Sequence, residues 1–197
     1  MNYLAHAYLS FHNPEILVGN MISDFVKGKK QFDFPILIQK GIQLHRAIDT
    51  FTDQHAATKE ARQYLKPAAG AYAGAFMDIV YDHFLALDYR ELSETGWKFF
   101  SEEVYEQLAD RKAVLPEKFA GILPYMTSQN WLFNYRFTQG IQHSFGGLAR
   151  RAQYLADSGA VFALFTEHYN KLEKYYQDFF PDVKKFAQSH LAALLIQ

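Results

Sequence analysis

A histidine and an aspartate share one stripe of a helix in the stretch GIQLHRAIDTFTDQH, residues 41–55. An α-helix turns about 100° per residue, so Ile38, Ile42, His45 and Asp49 fall within about 60° of one another. The stripe begins apolar, as a core-facing stripe does, and ends in two metal-ligating side chains spaced four residues apart. Because buried acids are rare unless they are paired, we expect these two side chains to face a cation or an opposite charge.

Two other helical segments also place acids on their apolar stripes. Asp78 and Asp82 continue one apolar row, and Asp24 ends a row that contains Leu17 and Met21. Crowded carboxylates repel one another and take up protons unless a cation neutralises them. Acids that point inward from several helices therefore favour a divalent metal site. A histidine that is simply hydrogen-bonded in the core remains an alternative for each imidazole.

The types of ligand narrow the chemistry. Carboxylates with imidazole suit Mn²⁺, Mg²⁺ or Fe²⁺, and such a cation promotes hydrolysis by acidifying water and stabilising charge on phosphoryl oxygens. A di-iron oxidase would need Glu-x-x-His pairs, which the sequence lacks. Arg46 and Arg62 offer another way to neutralise the acids, namely by ion pairs. A non-catalytic helical interaction domain is therefore a competing interpretation.

The elements that must position these side chains are predicted to be helices. Apolar residues recur at spacings of three and four nearly everywhere, which predicts one compact all-α domain over residues 1–197. Asn-Pro and Pro signals set most boundaries. The predicted helices cover residues 3–11, 14 to about 28, 35–53, 56–65, 69–88, a segment from 93, shorter pieces bracketed by Pro116 and Pro124, a broken segment over 129–156, residues 159–179, and a last helix after Pro181.

Composition excludes several classes of protein. The 197 residues are 49% hydrophobic and 17% aromatic, enough for a sizeable core, and the net charge of −1 argues against broad nucleic-acid binding. The absence of cysteine excludes disulfides, thiolate metal sites and a cysteine nucleophile. The first twenty residues do not resemble a signal peptide, and no apolar run approaches about 18 residues. We therefore expect a cytoplasmic protein with no membrane segment.

Three blocks within the first 90 residues resemble the acyl carrier protein phosphodiesterase family: MNYLAH with GNMISDFVKG, then GIQLHRAIDTFTDQH, then DIVYDHFLALDY. A later block, QNWLFNYR, agrees more loosely. The resemblance implies an all-α fold like that of the HD-type metal phosphohydrolases and a divalent cation, Mn²⁺ before Mg²⁺ or Fe²⁺. It also implies hydrolysis of the phosphodiester that joins 4′-phosphopantetheine to a serine of acyl carrier protein, an acidic protein substrate.

The resemblance and the helical stripes together suggest roles for individual residues. HD-type sites use an adjacent His-Asp pair, whereas this chain has the reversed dipeptide Asp82-His83, so the ligand set is not copied from them. His83 is expected to orient a ligand or to protonate the departing serine oxygen, and Arg46 is expected to contact the phosphate. The expected metal ligands are Asp24, His45, Asp49, Asp78, Asp82 and His6.

The substrate also suggests a surface. Lys27, Lys29 and Lys30 follow the Asp24 segment and are expected to form part of a basic rim that captures an acidic carrier. The alternative interpretation is that they only complement a helix C-terminus and keep the turn soluble. The alternative activity is that of an HD-type phosphohydrolase acting on a small nucleotide or phosphoester, which would need no such rim.

Overall fold

The computed structural model describes residues 1–152 and 157–196, and this part of the chain contains helices and no strand. The all-α prediction is therefore confirmed. None of the described helices is both long enough and apolar enough to cross a lipid bilayer. The α-helices are α1 Tyr3–Tyr8, α2 Pro14–Ile22, α3 Ile36–Gln54, α4 Ala56–Ala69, α5 Ala73–Leu87, α6 Glu94–Asp110, α7 Glu117–Ser128, α8 Trp131–Asn134, α9 Thr138–Ala149, α10 Gly159–Glu167 and α11 Tyr169–Ile196.

Three prolines were wrongly predicted to end or divide helices. Pro67, Pro124 and Pro181 lie inside α4, α7 and α11. A proline within a helix costs roughly 3 kcal/mol, but burying one large apolar side chain gives about 1.5–3 kcal/mol. In α11, Phe180 and Val183 are buried on either side of the proline. Packing on both sides of the proline therefore keeps the helix continuous.

Other boundaries also differ from the prediction. The predicted helix over residues 159–179 is divided at His168, between α10 and α11. The second helix ends at Ile22, and the chain continues in two 3₁₀ segments, Ser23–Phe25 and Gly28–Asp33. The broken segment over 129–156 forms α8 and α9, with Gly140 inside α9. Residues 153–156 of that prediction lie outside the described residues.

Helices α2 and α3 cross at two glycines, and this crossing positions the candidate site. A Cβ atom added to Gly19 of α2 would lie 2.1 Å from the Ile38 carbonyl oxygen. One added to Gly41 of α3 would lie 2.4 Å from the Ile16 carbonyl oxygen. Only glycine permits this approach of the two backbones. Asn20, the residue that follows Gly19 in α2, is thereby brought against His45 of α3.

We expect the Gly19→Ala variant to lose about 1–3 kcal/mol of unfolding free energy, because its Cβ atom would overlap the α3 backbone. Gly121→Ala is the matched control. Gly121 lies in α7, and a Cβ atom there would meet nothing within 4 Å. This control should be neutral or stabilised by up to about 1 kcal/mol. Urea unfolding measures both variants, and equal stabilities would refute the role of the crossing.

Candidate metal centre

Two histidines and one aspartate from two helices meet beside the α2–α3 crossing. The rings of His6, from α1, and His45, from α3, are stacked with their centroids 3.8 Å apart. The Nε2 atom of His6 lies 3.2 Å from Asp49 Oδ1, and that of His45 lies 3.1 Å from Asp49 Oδ2. One ligand atom from each residue lies within 4.8 Å of the others. The i, i+4 stripe predicted on α3 thus faces a histidine of α1.

The charges of the three groups depend on one another. Burial and the neighbouring His45 lower the pKa of His6 to about 4. Burial also lowers the pKa of His45, but the carboxylates of Asp24 and Asp49 outweigh it and raise the value to about 9. Burial raises the pKa of Asp49, yet the two histidines and the Met1 amino group hold it well below its usual range. Without a metal, the stacked pair therefore carries one charge at neutral pH.

These side chains fit a divalent cation. The Nδ1 atoms of both rings are engaged on the side away from Asp49, so each ring directs Nε2 toward the carboxylate. Both Nε2 atoms are buried, and neither makes a hydrogen bond of good geometry. Two imidazole nitrogens and a carboxylate are the donors that Mn²⁺, Mg²⁺ and Fe²⁺ accept. His6, His45 and Asp49 could therefore hold such an ion together.

Two of the other predicted ligands lie at the edge of this group. Asp24 Oδ1 is 3.3 Å from His45 Nε2, and its side chain is 73% exposed. Asp78 Oδ1 lies 3.0 Å from the Met1 amino nitrogen, which is 3.4 Å from Asp49 Oδ1. Burial raises the pKa of Asp78. The structure thus brings Asp24 into contact with the group and connects Asp78 to it through Met1.

Asp82 has a different environment from the one predicted by its stripe. Its carboxylate accepts backbone N–H hydrogen bonds from Leu4 at 2.7 Å, Asn2 at 3.2 Å and Ala5 at 3.3 Å. Burial raises its pKa to about 7, although the Met1 charge and the three donors lower it. Asp82 thus satisfies amides at the N-terminus of α1, which have no partner within the helix. In the structure it anchors the helix that carries His6.

The two predicted catalytic residues also have partners outside the group. His83 Nδ1 lies 2.7 Å from the Tyr135 carbonyl oxygen, and its Nε2 lies 2.9 Å from the Tyr169 hydroxyl. Arg46 donates to the Gln31 side chain at 2.6 Å and to the Val26 carbonyl at 3.1 Å. His83 thus connects α5 to α11, and Arg46 holds the turn that contains the three lysines.

Asn20 also belongs to the site, although it was not among the residues predicted from the sequence. Its side-chain oxygen contacts His6 Nδ1 at 2.8 Å, and its backbone oxygen contacts His45 Nδ1 at 2.7 Å. The signal in the sequence was an amide within the apolar segment ILVGNMI of α2. A buried amide must be hydrogen-bonded, so its position pointed to a polar partner.

A sequence model of the family described as "Acyl carrier protein phosphodiesterase" matches residues 1–183. This chain belongs to that family. Membership confirms the resemblance of the three sequence blocks and classes the chain as an enzyme. No solved structure matches the chain, so the likeness to HD-type phosphohydrolases stays a prediction.

Curated relatives of the same name cover nearly the whole chain. The protein of Klebsiella pneumoniae subsp. pneumoniae is 32% identical, over 96% of this chain and 98% of its own length. The protein of Yersinia pestis is 31% identical, over 95% of this chain and 98% of its own. The protein of Salmonella paratyphi A is 30% identical, over 98% of this chain and 100% of its own. Each is called acyl carrier protein phosphodiesterase.

We expect acid to destabilise the protein partly through His83. Burial lowers the pKa of His83 from 6.5, so the unfolded chain binds a proton there more readily than the folded protein does. This contribution is complete above pH 6.5 and is lost as the pH falls below it. His83→Gln should be less stable at pH 8 and should lose less stability between pH 8 and pH 5. Urea unfolding across this range provides the test, and parallel pH profiles would contradict the prediction.

Proposed function

We propose that this chain hydrolyses the phosphodiester that joins 4′-phosphopantetheine to a serine of acyl carrier protein, with a divalent cation held by His6, His45 and Asp49. The observation that carries the proposal is the pair of buried Nε2 atoms directed at one carboxylate, in a member of this family. Mn²⁺ is the expected cation, with Mg²⁺ or Fe²⁺ as alternatives. The products are apo carrier and free 4′-phosphopantetheine.

The reaction exchanges one bond to phosphorus for another. The oxygen of a water molecule forms a bond to phosphorus, the bond from phosphorus to the serine oxygen breaks, and a proton from the water ends on that serine oxygen. When bound, the cation would make water more acidic and stabilise charge on the phosphoryl oxygens. No side chain forms a covalent intermediate in this scheme.

We assign separate roles to two carboxylates beside the histidines, those of Asp24 and Asp78. Asp24 is the most exposed acid beside the histidines, and its Oδ1 atom lies 3.3 Å from His45 Nε2. It is therefore placed to accept a hydrogen bond from water that enters the centre. The carboxylate of Asp78 is less accessible, with 27% of its side chain exposed. We assign it the role of balancing positive charge beside Asp49.

The experiment is to incubate holo acyl carrier protein with the metal-free enzyme, with and without Mn²⁺, and to weigh the carrier by mass spectrometry. We expect loss of phosphopantetheine only with the metal. Asp49→Asn should reduce the rate by more than about 100-fold, because even outer partners of metal ligands are worth about 10- to 100-fold. Asp53→Asn is the matched control, one turn further along α3 and paired with Arg62.

The outcomes separate the competing interpretations. If the carrier keeps its mass with every divalent metal while a small phosphoester is hydrolysed, the enzyme is a phosphohydrolase of small substrates. If the purified protein binds no metal and chelation changes nothing, the inward acids serve only structure. Full activity in Asp49→Asn would reject the assignment of the centre.

A basic and apolar surface beside Asp24 suits a protein substrate. Lys27, Lys29 and Lys30 are exposed on the turn that follows Asp24. Two large apolar side chains are also exposed nearby, Phe32 at 61% and Ile36 at 62%. Lysines can attract an acidic carrier, and exposed apolar side chains can contact it once it has docked. We propose this surface, residues 27–36, as the carrier-docking surface.

We expect the double variant Lys27→Glu with Lys29→Glu to raise KM for holo carrier by about tenfold or more, because each charge reversal replaces attraction with repulsion. The kcat value should change little, and the effect should shrink in high salt. Lys59→Glu with Lys66→Glu makes the same change of charge on α4 and serves as the control. Equal KM values for the two double variants would remove the docking surface from the proposal.

A further inference from the structure

Asn20 is completely buried in α2, and its side-chain amide and backbone carbonyl oxygen have partners around the two histidines. Its Nδ2 group donates to the His6 carbonyl oxygen at 2.8 Å and to Ser10 Oγ at 3.1 Å. The Ser10 hydroxyl donates to the same carbonyl at 2.8 Å. The three residues therefore form a closed network beneath the centre.

The His6 carbonyl oxygen determines which way the Asn20 amide points. A carbonyl oxygen can only accept, so the side-chain atom that faces the His6 carbonyl must be the amide nitrogen. The amide oxygen must then be the atom that lies 2.8 Å from His6 Nδ1. Because this oxygen also can only accept, the proton of the neutral His6 ring is on Nδ1. The Nε2 atom is left with its lone pair toward Asp49.

The backbone of the same residue acts on the second ring. The Asn20 carbonyl oxygen lies 2.7 Å from His45 Nδ1, so this nitrogen also carries a proton. A second proton on His45, or a cation, must then be at Nε2. Asn20 thus fixes the Nδ1 proton of two imidazoles that come from different helices and stack on each other.

We infer that Asn20 is a positioning residue that fixes His6 and His45 with their Nε2 atoms toward the cation. The reason is chemical, since a neutral ring protonated on Nε2 has no lone pair there to offer a metal. The side-chain amide does this for His6, and the backbone carbonyl does it for His45. What the centre binds rests on the proposed function, whereas the position of the proton on His6 does not.

Asn20→Ala separates the effect of Asn20 on His6 from its effect on His45, because it removes the side-chain amide and keeps the backbone carbonyl. Long-range ¹H–¹⁵N spectra of histidine-labelled, metal-free protein show which ring nitrogen carries a proton. In the wild type we expect the proton of neutral His6 on Nδ1. In Asn20→Ala the His6 signals should change, while the Nδ1 signal of His45 should stay.

Binding of Mn²⁺, followed by the electron paramagnetic resonance of the free ion, is the second readout. We expect Asn20→Ala to weaken the affinity by about 10- to 100-fold, the usual effect of removing the partner of a ligating histidine. Ser10→Ala is the matched control, because it alters the same buried network and leaves the contact between the amide oxygen and His6. Its affinity should stay within about twofold of the wild type.

The failures can be distinguished. If the wild type binds no Mn²⁺, the proposed metal centre is wrong, and the spectra still decide the tautomer. If the wild type binds Mn²⁺ and Asn20→Ala binds it equally well, the positioning role is refuted. A loss in Ser10→Ala as large as that in Asn20→Ala would show a general effect on folding instead. Should Asn20→Ala not fold, the wild-type spectrum suffices, because a proton on His6 Nε2 overturns the inference.

Discussion

The structure of this enzyme is organised around two imidazoles stacked 3.8 Å apart against one carboxylate. Two positive rings at that separation would repel each other strongly in a buried site, so they cannot both be protonated at neutral pH. The attraction of Asp49 for the positive charges beside it, on the histidine pair and on the Met1 amino group, holds the group together. On the histidine pair, the carboxylates of Asp24 and Asp49 raise the pKa of His45 and favour its protonated form, and a divalent cation would replace that proton in the proposed enzyme.

This group forms only when several helices pack in their native arrangement. The crossing at Gly19 and Gly41 lets α2 and α3 approach until the Asn20 backbone reaches His45. Helix α1 supplies His6 but is only six residues long, too short to be stable by itself. Its N-terminal amides are satisfied by Asp82 of α5. The position of His6 thus depends on packing between helices more than on the local preferences of α1.

The fold class and the grouping of His45 with Asp49 could be predicted from the sequence more fully than the roles of individual side chains. Helical periodicity identified the all-α class, and the stripe through His45 and Asp49 identified two of the three grouped residues. Periodicity could not distinguish a carboxylate that faces a metal from one that faces backbone amides, as Asp82 does. Periodicity also could not predict that α11 continues through Pro181, because the continuity of this helix depends on its packing against distant helices.

The hydrogen bond from the Leu4 backbone amide to the Asp82 carboxylate joins two residues that are 78 positions apart in the chain. During synthesis α1 leaves the ribosome before α5. Asp82 of α5, which anchors α1, emerges only after α2, α3 and α4 have been made. Helix α1 therefore lacks these hydrogen bonds until α5 has emerged. The candidate metal centre is therefore expected to form late in folding, because the helix that carries His6 is fixed only when α5 is present.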